Sequence, residues 1–258
     1  MTRKRELLDG ACPSPEWRKR SPSICVFPIG AFEQHSQHLP LASDNIAAQY
    51  FAEFVARELD AALLPCQNIA TSLEHTGFRG TITLRPETLM QIVRDVADEV
   101  ETQGFTTMIV INGHGGNFAL TPVIRDINRR NRKLKILLVE PSKFCDRGVV
   151  GADRTRQMDM HAAEHETSLM LALRPDLVRK ERADMKPVVK GFAQPDLTTF
   201  GVGYFSPKGA CGSPSLGTKE KGGKIVASIK RNIMPHIRRR LAWLKKNRIY
   251  SGKVPGKR

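Results

Sequence analysis

Four short runs of β-branched and aliphatic residues, at 23–29, 62–65, 107–111 and 134–139, constrain the fold of this chain more than any other feature. Their hydrophobicity is near-continuous rather than alternating, the pattern of strands buried on both faces. Segments with helical spacing lie between and after them, at 46–59, 86–100, 118–130, 162–173 and 219–247. The second opens on Pro86, a favoured first-turn residue, and ends near Gly104. Strands alternating with helices predict an α/β fold of three layers, a mainly parallel sheet flanked by helices. Residues 182–215, with Pro187, Pro195, Pro207 and Pro214 and many glycines, lack periodicity and are expected to form an irregular excursion from one domain.

Charge is unevenly spread along the 258 residues: the net +15 divides into +3 over residues 1–20, −1 over 21–218 and +13 over 219–258. A nucleic-acid partner, which so basic a chain invites, therefore concerns at most the ends. The expected organisation is a basic segment over 1–22, a central unit over 23–218, and a basic helix and tail over 219–258 packed on that unit. In the last segment Ile225, Ile229, Ile233, Ile237 and Leu241 form one stripe, while Arg238, Arg239, Arg240, Lys245, Lys246 and Arg248 crowd the remainder. Pro235 is expected to kink or divide this helix. One reading packs the stripe on its own domain or a neighbouring subunit and leaves the basic face solvated. The other gives the tail an RNA or anionic surface to bind, with only Trp243 and Tyr250 available for base stacking. With no apolar run of signal or membrane-spanning length, the chain is expected to be cytoplasmic with no membrane partner. Five cysteines, at 12, 25, 66, 145 and 211 with no Cys-x-x-Cys pair, read as reduced, mostly buried thiols.

Three clusters carry chemistry. Gly30 to Pro40, followed by Asp44, comes directly after the first strand, where a parallel sheet places functional loops. Glu33 and His35 are two apart and leave an extended backbone on the same face, so both can reach one metal site that Asp44 closes. His38 is equally a ligand or a hydrogen-bonding loop residue. The second cluster, Asn112-Gly113-His114-Gly115-Gly116-Asn117, follows the third strand, and its glycines let the backbone approach a ligand closely. No Lys-Ser/Thr pair and no G-x-G-x-x-G accompany it, so a phosphate loop is the weaker reading. The third cluster is His161-Ala162-Ala163-Glu164-His165-Glu166-Thr167-Ser168. Ala162 replaces the Glu that a zinc-peptidase helix requires after its first His. Glu166 near His161 remains as a carboxylate beside a cleft histidine, while Glu164 and His165 are read as a solvated polar face. His, Glu and Asp without Cys point to zinc, manganese or iron(II), and the number of ligands allows two metals bridged by one carboxylate.

The chain resembles the creatininase family, the creatinine amidohydrolases and their relatives. The resemblance rests on Glu33-Gln34-His35-x-x-His38-Leu39-Pro40-x-x-x-Asp44, Glu74-His75-x-x-Phe78-x-Gly80-Thr81-Ile82 and Asn112-Gly113-His114-Gly115-Gly116-Asn117. His161-x-x-x-x-Glu166-Thr167-Ser168 and Gly212-x-Pro214-x-x-Gly217-x-x-x-Lys221-Gly222 follow in family order, and the blocks cover about residues 24–230. The resemblance implies a creatininase-like α/β fold, two divalent ions per subunit at the carboxyl ends of the strands, and a homo-oligomer, often a hexamer. It implies Glu33, Asp44 and His114 as ligands of one metal and His35, bridging Asp44 and Glu166 as ligands of the other. His161 and Glu166 are then catalytic, and Glu74, His75, Gly115, Gly116 and Asn117 substrate-binding. Two positions depart from the pattern: Gly116 stands where creatininase has a metal-binding carboxylate, and Ser36-Gln37 where relatives commonly have Gly-Pro.

The implied function is a metal-dependent amidohydrolase acting on a small non-peptide or cyclic amide. A formylaminopyrimidine deformylase or a cofactor-maturation peptidase of the same family is the alternative. The reading from another class is an inactive hydrolase core whose basic tail binds RNA or an anionic surface.

Overall fold

The structure is a computed structural model that describes residues 6–130, 132–149, 159–185 and 194–247. Its strands are β1 (Ile24–Ile29), β2 (Ala62–Leu63), β3 (Thr107–Asn112) and β4 (Lys135–Val139). Its α-helices are α1 (Ser14–Arg20), α2 (Ser43–Leu59), α3 (Pro86–Thr102), α4 (Leu120–Arg129), α5 (Glu164–Leu173), α6 (Gln194–Phe200) and α7 (Lys219–Asn247). All four strands overlap the apolar runs of the sequence. Among the described residues they form one parallel sheet in the order β2-β1-β3-β4, with Leu63, Val26, Ile109 and Leu137 in one register row.

Side chains alternate across the sheet, so each strand feeds two cores. Cys25, Phe27, Ile29, Met108, Val110 and Ile136 pack with Leu89 and Val93 of α3 and Leu120, Val123 and Ile127 of α4. Val26, Leu63, Ile109, Ile111 and Val139 pack with Phe51 and Val55 of α2, Leu169 of α5 and Ile225, Ile229, Ile233 and Ile237 of α7. The result is the expected three-layer arrangement. The isoleucine stripe of α7 thus packs against the sheet and α2; each fully enclosed aliphatic side chain contributes roughly 1.5–3 kcal/mol. The basic face of α7, including Arg238, Arg239, Arg240, Lys245 and Lys246, is exposed.

This topology dictates where a site can form. The helix after β1 (α2) and the helix after β3 (α4) lie on opposite faces of the sheet, although β1 and β3 are neighbours. Their connections therefore diverge at the carboxyl ends of these strands and leave a crevice, the topological switch point of an open α/β sheet.

Several expectations need correction. Helix α7 is not divided at Pro235: the proline faces solvent, and buried Ile233, Met234 and Ile237 hold both sides of it to the core. Packing thus outweighs the backbone hydrogen bond the proline removes. Residues 182–215 are not wholly irregular, since they contain α6 and short 3-10 turns at Val202–Tyr204 and Pro214–Leu216; Pro187 lies outside the described residues. The basic first segment carries α1, and Leu8 within it is fully buried, its carbonyl accepting the Leu63 N–H at 2.8 Å. Cys25, Cys145 and Cys211 are buried and Cys12 and Cys66 half-buried, all as free thiols. Among the described residues no helix is long and apolar enough to cross a membrane. Arg248 and Tyr250 lie outside the described residues.

Candidate metal centre

Six segments converge on the crevice. The loop after β1 brings Glu33 and His35, and the first turn of α2, which starts three residues earlier than its periodicity suggests, brings Asp44. The loop after β3 carries His114, and the first turn of α5 carries Glu166. His161 precedes α5 and is held by backbone pairing with Cys211, while a 3-10 turn at Leu73–His75 supplies Glu74 and His75. Both acidic residues in first helical turns sit where the helix dipole favours negative charge.

Glu33 Oε2 stands 3.0 Å from His114 Nε2, and His114 Nδ1 stands 3.1 Å from Asp44 Oδ2. Asp44 Oδ1 is 3.4 Å from His35 Nε2, which in turn is 3.9 Å from Glu166 Oε2. Glu33, Asp44 and His114 form one converging donor group, and His35, Asp44 and Glu166 a second that shares Asp44. Glu33, His35 and His161 form a third. The first two groups contain the same residues as the two ligand sets implied by the family resemblance.

The residues fit divalent cations on two counts. Both carboxylate oxygens of Glu33, His35 Nε2, Asp44 Oδ2 and His114 Nε2 are buried without a hydrogen-bond partner, a state that costs about 1–3 kcal/mol per group. Donors bound to one ion at about 2.1 Å stand about 3.0–3.4 Å apart in octahedral or tetrahedral geometry. The Glu33–His114 separation of 3.0 Å in the first group and the Asp44–His35 separation of 3.4 Å in the second match that spacing. No thiol takes part in these groups, which leaves nitrogen and oxygen donors suited to zinc, manganese or iron(II).

Without a cation the cluster holds protons. Burial opposes charge on His35, but Asp44, Glu166 and Glu33 outweigh it and push its pKa up to about 10. Burial likewise opposes charge on His114, yet Glu33, Asp44 and Glu74 raise it to about 10. Burial raises Glu33 to about 7 against the pull of His114 and His35. Asp44 is held far below the usual carboxylate range, because His35 and His114 overcome its desolvation. Burial, aided by neighbouring imidazoles, keeps His75 and His161 well below the ordinary histidine range and therefore neutral at pH 7.

The remaining sequence candidates divide. Glu74 and His75 are buried against the cluster, with His75 Nε2 3.2 Å from Glu33 Oε1 and Glu74 Oε1 3.6 Å from His114 Nε2. Gly116 makes room for Glu74 and His114: a Cβ there would lie 2.0 Å from Glu74 Oε1 and 2.3 Å from His114 Nε2. Gly115 has open space beside it. Asn117 does not fit its expected substrate-binding role. Its oxygen accepts from the Thr71 backbone N–H and hydroxyl, and its nitrogen donates to Gly30 and Asn112, so the amide is saturated and ties the loops after β1 and β3 together. His38 is the hydrogen-bonding loop residue, with Nε2 2.9 Å from Thr167 Oγ1. Glu164 and His165 are buried rather than solvated; Glu164 pairs with Lys221, a partner 57 positions away that helical periodicity does not reveal. Ser36 adopts φ +59°, so the residue in a common glycine position keeps a glycine-like backbone. Gln34, a motif residue to which the sequence reading gave no role, proves to be a hub of the site.

A profile described as creatininase, creatinine amidohydrolase, matches residues 12–237. Over 243 residues the chain is 28% identical to the mycofactocin precursor peptide peptidase of Mycobacterium ulcerans, covering 89% of this chain and 90% of that protein. Over 238 residues it is 26% identical to the creatinine amidohydrolase of Pseudomonas putida, covering 83% and 88% respectively. A solved manganese creatininase shares the fold with a TM-score of 0.75 at 22% identity, across 91% of this chain and 99% of that one.

Proposed function

The chain belongs to the creatininase family, and on that premise we propose that it is a metal-dependent amidohydrolase that cleaves an amide C–N bond at a two-cation centre. The observation that carries this reading is the pair of donor groups sharing Asp44. Glu33, Asp44 and His114 would hold one divalent ion, and His35, Asp44 and Glu166 the other. Zinc or manganese suits the donor set, and iron(II) is a further match. When bound, such ions supply Lewis acidity that polarises the amide carbonyl and acidifies water.

The protein's own groups account for the proton traffic. His161 is neutral, ties Nε2 to the Gln34 carbonyl at 2.8 Å and turns Nδ1 toward Glu33. It can accept a proton at Nδ1 from attacking water and deliver it to the departing nitrogen. Glu166 is the most exposed of the five proposed ligands, which suits a carboxylate that also meets substrate. Glu74 and His75 wall the other side.

The substrate class covers small cyclic and acyclic amides. A peptide-trimming reading stands beside it, favoured by the similarity to the mycobacterial peptidase, so peptide bonds are included. Gly116 in place of the carboxylate of creatininase argues against creatinine itself. A homo-oligomer, hexameric by family resemblance, belongs to the proposal.

The test is to incubate the metal-loaded protein with creatinine, a formamidopyrimidine nucleotide and short peptides, and to measure released amine. Turnover of one class is expected; a protein that holds two ions yet hydrolyses none of these amides refutes the reading. Asp44→Ala should lose metal and turnover together, and a variant that keeps both removes Asp44 from its shared position.

A further inference from the structure

Gln34 stands in sequence between Glu33 and His35, two of the residues that converge on the crevice. Its surroundings are unusually complete. The backbone N–H donates to Thr81 Oγ1 at 3.0 Å, and the backbone carbonyl accepts from His161 Nε2 at 2.8 Å. The side chain is buried; its Oε1 accepts the Ser36 backbone N–H at 2.9 Å, and its Nε2 donates to the Gly209 carbonyl at 3.3 Å. A backbone N–H can only donate and a carbonyl can only accept, so these partners determine which end of the amide is nitrogen.

The amide nitrogen also lies 2.8 Å from His75 Nδ1. That ring nitrogen must therefore accept, which leaves the proton of neutral His75 on Nε2, 3.2 Å from Glu33 Oε1. The same reasoning applied to His161 puts its proton on Nε2, facing the Gln34 carbonyl, and leaves Nδ1 bare toward Glu33. His35 Nδ1 lies 3.2 Å from the Glu33 carbonyl, so its Nε2 is the atom offered to the centre.

We propose that Gln34 is a positioning residue that sets the proton on two histidines: its side-chain amide holds the His75 proton on Nε2, the ring nitrogen on the Glu33 side, and its backbone carbonyl turns the His161 Nδ1 lone pair into the site. His75 thus presents a hydrogen to the cluster where His161 presents a lone pair. It is barred from ligating a cation although its ring centroid is 4.2 Å from that of His161. Gly209 completes the device from 175 positions away. It has φ +89°, and a Cβ there would stand 1.8 Å from Gln34 Oε1, so this loop can clasp the amide only through a glycine. The exclusion of His75 from ligation rests on the proposed two-cation centre; the proton positions do not.

The experiment is NMR of isotopically labelled histidine ring nitrogens, on the full chain with and without zinc. In the wild type, His75 is expected to show a bare Nδ1 and a protonated Nε2. Gln34→Glu keeps an acceptor for Ser36 but replaces the donor facing His75 with oxygen, and it should move the His75 proton to Nδ1. A wild-type His75 protonated at Nδ1 overturns the proposal, and this spectrum needs no variant to fold. An unchanged His75 signature in folded Gln34→Glu overturns it too. His75→Gln, which removes the imidazole, should retain the wild-type metal content; loss of an ion in that variant refutes the exclusion of His75 from ligation. Failure of the protein to bind any cation would sink the proposed function while leaving the histidine pattern intact.

Discussion

Replacing Gly116 by Ala tests the geometry of the centre with a single methyl group. The added carbon would stand 2.0 Å from Glu74 Oε1 and 2.3 Å from His114 Nε2, against an ordinary contact of about 3.5 Å. The carboxylate must retreat by about 1.5 Å and the imidazole by about 1.2 Å to relieve the overlap. Both atoms are the far ends of rotatable side chains, so the backbone survives and the strain falls on the site. A shift of that size exceeds by several-fold the roughly 0.2 Å tolerance of a metal–ligand bond. His114 is then lost as a ligand, and affinity at the Glu33, Asp44 and His114 position should drop at least about 100-fold, near 2.7 kcal/mol. Turnover should fall by a similar factor, the usual consequence of a 1 Å displacement at a reacting centre, about 100-fold. The assay is metal titration after dialysis against a chelator, paired with denaturant unfolding of the metal-free protein. Unchanged metal affinity in Gly116→Ala would refute the reasoning. So would a large loss of metal-free stability, which would make Gly116 a folding residue instead.

Three further outcomes follow from the same structure. Between about pH 6.5 and 10 the metal-free folded state binds more protons than the unfolded chain, because His35 and His114 are raised to about 10 and Glu33 to about 7. Metal-free stability should therefore fall as pH rises through this window, and metal binding at pH 7 should release protons; calorimetry in buffers of different ionisation enthalpy that detects no proton release would contradict this. Gly113→Ala should act on the fold, since its Cβ would lie 2.5 Å from the Asp44 backbone carbonyl, which cannot rotate away; a loss of about 1–3 kcal/mol in denaturant unfolding is expected. Ile229→Ala should cost about 2–5 kcal/mol, because the side chain is fully buried beneath the sheet; a near-neutral result would mean that α7 is not held by its stripe.

Much of this protein was legible before folding. Near-continuous apolar runs announced β1, β3 and β4, because a parallel strand covered on both faces needs apolar side chains on both. The two-residue spacing of Glu33 and His35, the glycines around His114 and their places after strands marked the site, because these are local properties of an extended chain and a tight loop. The isoleucines of α7 betrayed a buried face through their four-residue spacing.

What the sequence alone determined was the four strands, the five longer helices, the layer architecture and the family of donors gathered near the strand ends. Folding decided how those donors are wired. Lys221 buries Glu164, the Gly209 carbonyl orients Gln34, and Asn117 spends its amide on Thr71, Gly30 and Asn112. Buried Ile233, Met234 and Ile237 carry α7 past Pro235 as one helix. The physical reason is common to all four cases. Burial makes a polar group or a helix break affordable only when a partner arrives from elsewhere in the chain, and no local pattern of residues records which partner that will be.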